Sequence, residues 1–541
     1  KKILPFAILL LLSLSVFGCM SDKDAPSSAI STQKVSISIS PETLALPAGG
    51  ERKFSASVSG SGNTAVNWMI QETAGGMISN QGVYTAPLAP GTYHVVVNSE
   101  IDPSQTATAM VTVSSTLNIS FGTNGAVNTT FGGIDTITAM ALQSDGKRVV
   151  GGASLDGTEA NFALARYHVN GTLDTSFGQN GIVTTAFGGS AGINALTIQA
   201  NGKIVAGGNT DEFQGGAFAL ARYLPDGSLD TTFGPNASGK LTALPGIQDN
   251  ELNALKLQGD KILVGGTSFY TPTDTVTNGK KVFTMMRFKK DGSVDTTFGP
   301  DGTGIVQTEL IISGTLVTME IHALAFQSTG EILAGGRFSI VGEHFTVARY
   351  SRDGILDTSF SSDGVVATTV SAGSERVTAL LVQPTGEIIA GGFGTNGFAL
   401  VRYTASGVED TNFSGDGIVT TAIGSGGSAR INDLILDNNR IIAGGLAFNG
   451  ANNSEFTLVG YDLSGGLDTT FGIGGIVSTP ISSGADGIQA MHLESGKIIT
   501  AGFASNNPRI DFALARYDIN GILETGASTE GFDPTGFVTT V

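Results

Sequence analysis

From Leu117 to Val541, apolar and polar residues follow one recurring order. In one copy, the alternating run Ile193-Asn194-Ala195-Leu196-Thr197-Ile198-Gln199 leads through an Asn-Gly turn to Lys203-Ile204-Val205-Ala206-Gly207-Gly208, and a variable loop follows. Phe218-Ala219-Leu220-Ala221-Arg222-Tyr223 comes next, then a Pro-Asp-Gly turn, Leu229-Asp230-Thr231-Thr232-Phe233-Gly234 and a last short strand. Alternation with period two between turn residues predicts four antiparallel strands, a to d. In strand c, Phe162 and Leu164 fall on one side and Ala163 and Ala165 on the other. A bulky face can therefore pack on the small-residue face of the next unit.

The strand-c element begins at Phe162, Phe218, Phe283, Phe345, Phe398, Phe456 and Phe512, so the unit occurs seven times. Its spacing suits four strands with generous loops and is too long for a leucine-rich or helical solenoid repeat. Four-stranded units with no helical period between them predict a seven-bladed β-propeller. The region resembles the delta-60 repeat family of bacterial propeller proteins, through the series Phe-Ala-Leu-Ala-Arg-Tyr, Asp-Gly, Leu-Asp-Thr-Ser-Phe-Gly. That resemblance implies a fold and a surface setting, and no defined activity. The last copy decays after Leu523, while a spare Leu117-Asn118-Ile119-Ser120-Phe121-Gly122 precedes the first. The N-terminal piece is expected to complete the seventh blade, with Ala126–Phe131 and Phe537–Val541 both open as its outer strand.

Between Val35 and Val113 the pattern changes to short alternating strands, among them Val35–Ile39, Phe54–Val58, Val66–Ile70 and Tyr93–Val97. Pro41, Gly49, Val66-Asn67-Trp68 and Gly82-Val83-Tyr84-Thr85-Ala86-Pro87 give residues 35–113 a resemblance to bacterial Ig-like domains, with Trp68 expected as a plug between two sheets. Upstream, Lys1 and Lys2 precede an apolar run from Ile3 to Phe17 that ends in Val16-Phe17-Gly18-Cys19. This resembles the lipobox of bacterial lipoproteins, which implies a signal peptide over residues 1–19, a lipidated Cys19 and a tether over 20–34. Met20 and Ser21 after the cysteine resemble the sorting signal for the outer membrane.

Composition agrees with an all-β chain: 76 glycines in 541 residues and 14% charged residues. A net charge of -18 repels nucleic acid. A single cysteine excludes an internal disulfide framework and paired-Cys zinc sites. The five histidines, His94, His168, His322, His344 and His492, have no metal-ligand spacing. Gly392-Phe393-Gly394-Thr395-Asn396-Gly397 spells a dinucleotide fingerprint, but a strand follows where a helix is required. No cofactor is expected.

A residue repeated in every blade is expected to serve structure. Arg166, Arg222, Arg287, Arg349 and Arg402 lie eight residues before Asp174, Asp230, Asp295, Asp357 and Asp410, and Arg516 likewise before Glu524, which predicts an ion pair per blade. Blade 6 has Gly460 in place of the arginine, although Asp468 remains. The Gly-Gly pairs that end strand b predict close backbone approach. At the start of strand a, Thr138, Asn194, Asn253, His322, Thr378, Asn432 and Gln489 form a polar ring near the channel mouth. Asn194, Asn253, His322, Asn432 and Gln489 are the candidate ligand residues there, against the plainer reading that they satisfy backbone groups. Asp135, Asp249, Glu251, Glu320, Glu375 and Asp486 near the d-to-a loops lack the dense pattern of a calcium loop, and Asp433 is the lone inward carboxyl candidate of strand a. Function is sought where blades differ, on the face bearing the b-to-c loops, which run up to Thr267–Val282. The expectation is a lipid-anchored envelope protein, without enzymatic activity, that binds an envelope protein or glycan or acts as a scaffold. An enzyme acting on an extracellular polymer and a purely structural envelope component stand as the alternatives, and the oligomeric state is open.

Overall fold

The computed structural model describes residues 34–524 except for 48–50, 88, 90, 115–125, 130, 132–133, 157, 272–278, 340–341, 372, 396, 425–427, 438, 449–452 and 507–508. Cys19 and Phe537–Val541 lie outside the described residues. The chain divides into an N-terminal unit that ends at Val113 and a second unit from Ser114 onward. Among the described residues there is no α-helix, and no helix long and apolar enough to cross a membrane.

The N-terminal unit holds a four-stranded sheet, in the order Thr43–Pro47, Thr106–Ser114, Gly91–Ser99 and Val66–Ile70. A three-stranded sheet (Glu51–Lys53, Val83–Thr85, Met77–Ile78) and the pair Ser36–Ser40 with Ser55–Ser59 complete it. Phe54, Tyr84, Val95, Val97, Ala109 and Val111 are buried, and the Tyr84 hydroxyl donates to the Gly75 carbonyl at 2.7 Å. Trp68 is not the expected plug. It lies on the edge strand of the four-stranded sheet and stays half-exposed against Gly82, because Tyr84 and Phe54 occupy the interior.

Among the described residues, the second unit holds seven four-stranded antiparallel sheets in sequence order and a short hairpin, Ile311–Ile312 with Thr315–Leu316. Strands a to c of blades 1 to 7 begin at Ile134, Ala191, Glu251, Thr318, Arg376, Ala429 and Asp486, and their a strands meet from blade to blade and from blade 7 back to blade 1. The ring is closed by Ala126–Thr129, which pairs with Arg509–Asp518 as the outer strand of blade 7. Of the two candidates for that place, the N-terminal one supplies the described strand.

Strand c explains why the sheets stack. Phe162 and Leu164 of blade 1 share a core with Ala219 and Ala221 of blade 2, and Phe512 and Leu514 of blade 7 share one with Ala163 and Ala165 of blade 1. Each such phenylalanine or leucine is fully buried, which stabilises the interface by about 2 kcal/mol per side chain. The b-to-c loops are shorter than the sequence suggests, because both strands extend past the conserved core. In blade 5 strand b runs to Gly394 and strand c starts at Gly397; in blade 3 the strands reach Tyr270 and Lys280.

Candidate functional site

All seven a strands carry a β-bulge at one place, between Ile137 and Ala139 in blade 1 and at the matching pairs through Ile488 and Ala490 in blade 7. The bulged residues are Thr138, Asn194, Asn253, His322, Thr378, Asn432 and Gln489, which is the polar ring read from the sequence. A bulge pushes backbone toward strand b, and the second glycine of each pair receives it. A Cβ at Gly152, Gly208, Gly266, Gly336, Gly392, Gly445 or Gly502 would lie 1.6 to 1.9 Å from a strand-a carbonyl oxygen. The first glycine serves the blade interface: a Cβ at Gly207 would meet Leu255 Cδ1 of the next blade at 2.9 Å.

The ring is spent on holding blades together. Asn194 donates its amide to the Leu252 carbonyl at 2.8 Å, Asn253 to Ile321 at 2.9 Å and Asn432 to Ile488 at 2.6 Å, each in the next blade. Thr138 and Thr378 make the same bond with hydroxyls, to Ile193 and Ile431. His322 sits with Nε2 3.6 Å from Glu320, and Gln489 is half-buried at the bulge of blade 7.

The arginines of strand c pair as expected, with Nε–Oδ2 distances of 2.8 Å for Arg166–Asp174, 2.6 Å for Arg222–Asp230 and 2.7 Å for Arg287–Asp295. Burial would raise the Asp174 carboxyl, but Ser176, Arg166 and Lys147 together hold it well below its ordinary range. The guanidinium groups of Arg166, Arg222, Arg287, Arg349 and Arg402 also lie 4.6 to 4.9 Å over the phenylalanine three residues after the paired aspartate, as Arg166 does over Phe177 and Arg349 over Phe360. Blade 6 shows two roles for the aspartate. Asp468 Oδ1 caps the turn through Thr470 N and Oγ1, at 3.0 and 2.6 Å, as its equivalents do, while Oδ2 takes its cation from Arg440 of strand b at 2.6 Å. Gly460 has no room for a side chain, since its Cβ would lie 2.8 Å from Phe471.

The loop acids are likewise occupied. Asp135 accepts from Phe131 N at 2.7 Å, Glu375 from Val370 N at 2.8 Å, and Asp486 from Ile481 N and Ser482 N at 2.7 Å, so each closes the d-to-a loop before its own strand. No group of three or more His, Cys, Asp or Glu suited to a metal ion occurs among the described residues.

What differs between blades is the residue two before each bulged one. Blades 1 to 7 carry Thr136, Gly192, Glu251, Glu320, Arg376, Arg430 and Gly487 there, in the same register. The side chain at this place leans toward the preceding blade: a Cβ on Gly192 would meet only Ala153 of blade 1, at 3.4 Å. Its absence opens a cleft of ≈470 Å³ across blades 1 to 3, lined by Gly192, Asn194, Asn209, Asp211, Asp249 and Glu251 among others. The Lys281 ammonium sits beside it, 2.9 Å from Glu251 and 4.0 Å from Glu320. Burial would lower that lysine, but Glu251, Glu320 and Asp249 raise it. Blade 4 adds Arg337, 2.9 Å from Glu320, whose carboxyl is held at about 2; burial would raise it and His322 and Arg337 outweigh that. At this position the mouth therefore carries glutamates in blades 3 and 4 and arginines in blades 5 and 6.

Five segments of this ring, residues 143–177, 199–233, 258–298, 327–360 and 383–413, match the family model described as "Domain of unknown function (DUF5122) beta-propeller". The chain is a β-propeller repeat protein. No curated protein sequence matches the propeller protein. Its fold is similar to solved structures of low identity: Sqt1 of Chaetomium thermophilum, at 12% identity and TM-score 0.39, covering 73% of this chain and 98% of that one; the polysaccharide lyase Uly1, at 10% and 0.40, covering 71% and 90%; and an α-L-arabinofuranosidase of Clostridium thermocellum, at 8% and 0.27, covering 51% and 92%. At such values nothing about ligand or activity passes from them to the propeller protein.

Of the residues singled out in the sequence, Asn194 lines the cleft, His322 neighbours the charged positions, and Asn253, Asn432 and Gln489 lie on the same ring. The positions that distinguish one blade of the propeller protein from another, Gly192, Glu251, Glu320, Arg376 and Arg430, stand two residues earlier. Aligning the seven copies residue by residue would have exposed them, since only there does a repeat column change between glycine, glutamate and arginine. Among the loop aromatics, Phe338 is buried, Phe269, Tyr270 and Phe448 are half-buried, and Phe213 is exposed.

Proposed function

We propose that the chain is a binding or scaffold protein of the bacterial cell envelope, anchored through lipidated Cys19 to the outer membrane or cell surface, with an Ig-like N-terminal domain and a propeller whose variable face receives an envelope protein or glycan. The observation that carries this reading is the cleft opened by Gly192. It is an open cleft on the one face where the blades differ, and its asparagine, aspartate and glutamate groups suit hydroxyl-rich or peptide ligands. The lipobox residues Val16-Phe17-Gly18-Cys19 support the anchor.

The reading includes no catalytic step. A glycosidase needs two facing carboxyls, whereas the titratable carboxyl of the channel, Asp433, is held by Leu434 N and Met491 N and feels only Lys256 as a charged neighbour. The test is a screen of the full chain against glycans and isolated envelope proteins, repeated with Gly192→Leu, which fills the cleft. Loss of binding in the variant supports the placement; binding unchanged by it, or no ligand at all, removes it. Retention of the full chain in washed membranes, abolished by Cys19→Ala, tests the anchor.

A further inference from the structure

The chain has 47 acidic residues against 29 basic ones, so a cation of its second unit ordinarily has a carboxylate at hand. Arg148, Arg166, Arg222, Arg287, Arg337, Arg349, Arg402, Arg440 and Arg516 all do. Like Arg352, which is exposed on a c-to-d turn, Arg376 and Arg430 do not: neither has a carboxylate within 4.0 Å among the described residues. They occupy the same register position in neighbouring blades, opposite Phe393 and Leu446 of strand b, at the channel mouth.

The nearby acids are committed elsewhere. Glu375, next in sequence to Arg376, is turned into its loop to accept from Val370 N and Ser371 N. Glu320 of the preceding blade is taken by Arg337, which also holds Glu343. Asp433, three residues after Arg430, faces the next blade and accepts from Met491 N. Arg376 is half-buried, with Cζ 5.1 Å over the Phe393 ring and Nε buried without a hydrogen-bond partner. Arg430 is exposed at the matching position of the next blade, its pKa lowered by desolvation and then by the Arg376 charge; desolvation and then Arg337 lower Arg376, against an upward pull from Glu320. Two like charges at one position of adjoining blades, with Glu375, Glu320 and Asp433 held by other partners among the described residues, leave Arg376 Nε and the exposed Arg430 guanidinium for a group from outside.

We propose that Arg376 and Arg430 form an oxyanion-binding site that takes a carboxylate or sulfate group of a ligand lying across the channel mouth. The planar guanidinium fork matches both groups, and Phe393 holds one fork in place. The acidic cleft over blades 1 to 3 gives the site its polarity: the ligand's anionic group goes to blades 5 and 6 and its hydroxyl or amine groups to Asp249, Glu251 and Asn194. This assignment rests on the variable face being the binding surface, and adds the charge of what binds there.

The experiment is calorimetric titration of the full chain, at fixed ionic strength, with sodium sulfate, with glucuronate and with neutral glucose. Saturable binding of sulfate or glucuronate but not glucose is expected, weakened about tenfold or more in Arg376→Gln and in Arg430→Gln and unchanged in Arg352→Gln, a surface arginine of a c-to-d turn. Sulfate alone or glucuronate alone identifies which group the site takes. The conservative Arg376→Lys, which keeps the charge and loses the fork, is expected between wild type and Arg376→Gln, and equal melting temperatures exclude unfolding as the cause. Absence of binding to either anion, or equal binding in Arg376→Gln and Arg430→Gln, overturns the proposal. If neutral glycans bind and are lost with Gly192→Leu while the anions do not bind, this site falls and the binding surface stands.

Discussion

The two glycines that end each strand b look alike in sequence and do different work. Gly208 faces the Gly192 carbonyl oxygen, backbone against backbone, with a Cβ contact of 1.9 Å, whereas Gly207 faces the tip of Leu255. Gly208→Ala is expected to cost about 3 kcal/mol or more, because a bulge cannot retreat without breaking the ladder, and Gly207→Ala about 1 kcal/mol, because a leucine rotamer can yield. Chemical denaturation of the two variants checks the contrast; blade 7 already carries Ala501 at the second kind of site. Asp433 is a second residue with a measurable signature. Six blades have alanine there, and burial raises the Asp433 carboxyl to about 6. The folded chain then binds this proton more tightly than the unfolded chain. Its contribution is fully present below the unfolded value and is lost as pH rises through about 6. Asp433→Ala is therefore expected to gain stability relative to wild type between pH 4.5 and pH 8, by about 1–2 kcal/mol after allowance for water in the channel. Parallel melting curves for the two proteins would refute this.

At the scale of elements, the blades are joined by interactions that change together. The Tyr223 hydroxyl bonds Thr185 of the preceding blade at 2.9 Å, and the same pair recurs as Tyr350–Thr308, Tyr403–Thr368 and Tyr461–Thr421. Blade 3 has Phe288 instead, and the facing residue of blade 2 is Ala243, so both hydroxyls are gone and none is left buried and unpaired. A double-mutant cycle on Tyr223→Phe and Thr185→Ala should show a coupling of about 1 kcal/mol, with the double variant less destabilised than the two single changes summed. Blade 6 makes the same point for charge. Arg440→Gln leaves Asp468 without its cation and removes the 2.8 Å bond to the Ile519 carbonyl of blade 7, and is expected to cost about 1–3 kcal/mol, more than the same change at exposed Arg352.

For the whole molecule, the critical joint is between blades 7 and 1. Ala126–Thr129 completes the outer edge of blade 7, Thr129 accepts from the Tyr167 hydroxyl at 2.6 Å, Phe131 packs on Phe512 at 5.1 Å, and Arg148 bridges to Glu494 at 2.5 Å. Deletion of residues 117–133 is expected to expose the strand edge of Arg509–Asp518 and the Tyr167 pocket together, and to convert one cooperative unfolding transition into early loss of blade 7, detectable as preferential proteolysis there.

The sequence determined the strand pattern, the number of blades and the structural ion pairs, because these depend on local alternation and on residues a fixed distance apart in the chain. Phe162, Leu164, Ala163 and Ala165 already contain the rule by which one sheet fits the next, and Arg166 and Asp174 are near each other in any conformation that turns the chain between them. It also brought the polar ring into view, but not its use: whether Asn194 serves a ligand or the Leu252 carbonyl depends on a bulge whose backbone belongs to two blades at once. Only the tertiary structure decided that Ala126–Thr129 closes the ring, that Arg440 replaces the missing arginine of blade 6, and that Arg376 and Arg430 stand together without a carboxylate. Each of these joins residues of different strands or blades, and only strand pairing and the stacking of sheets bring them within reach.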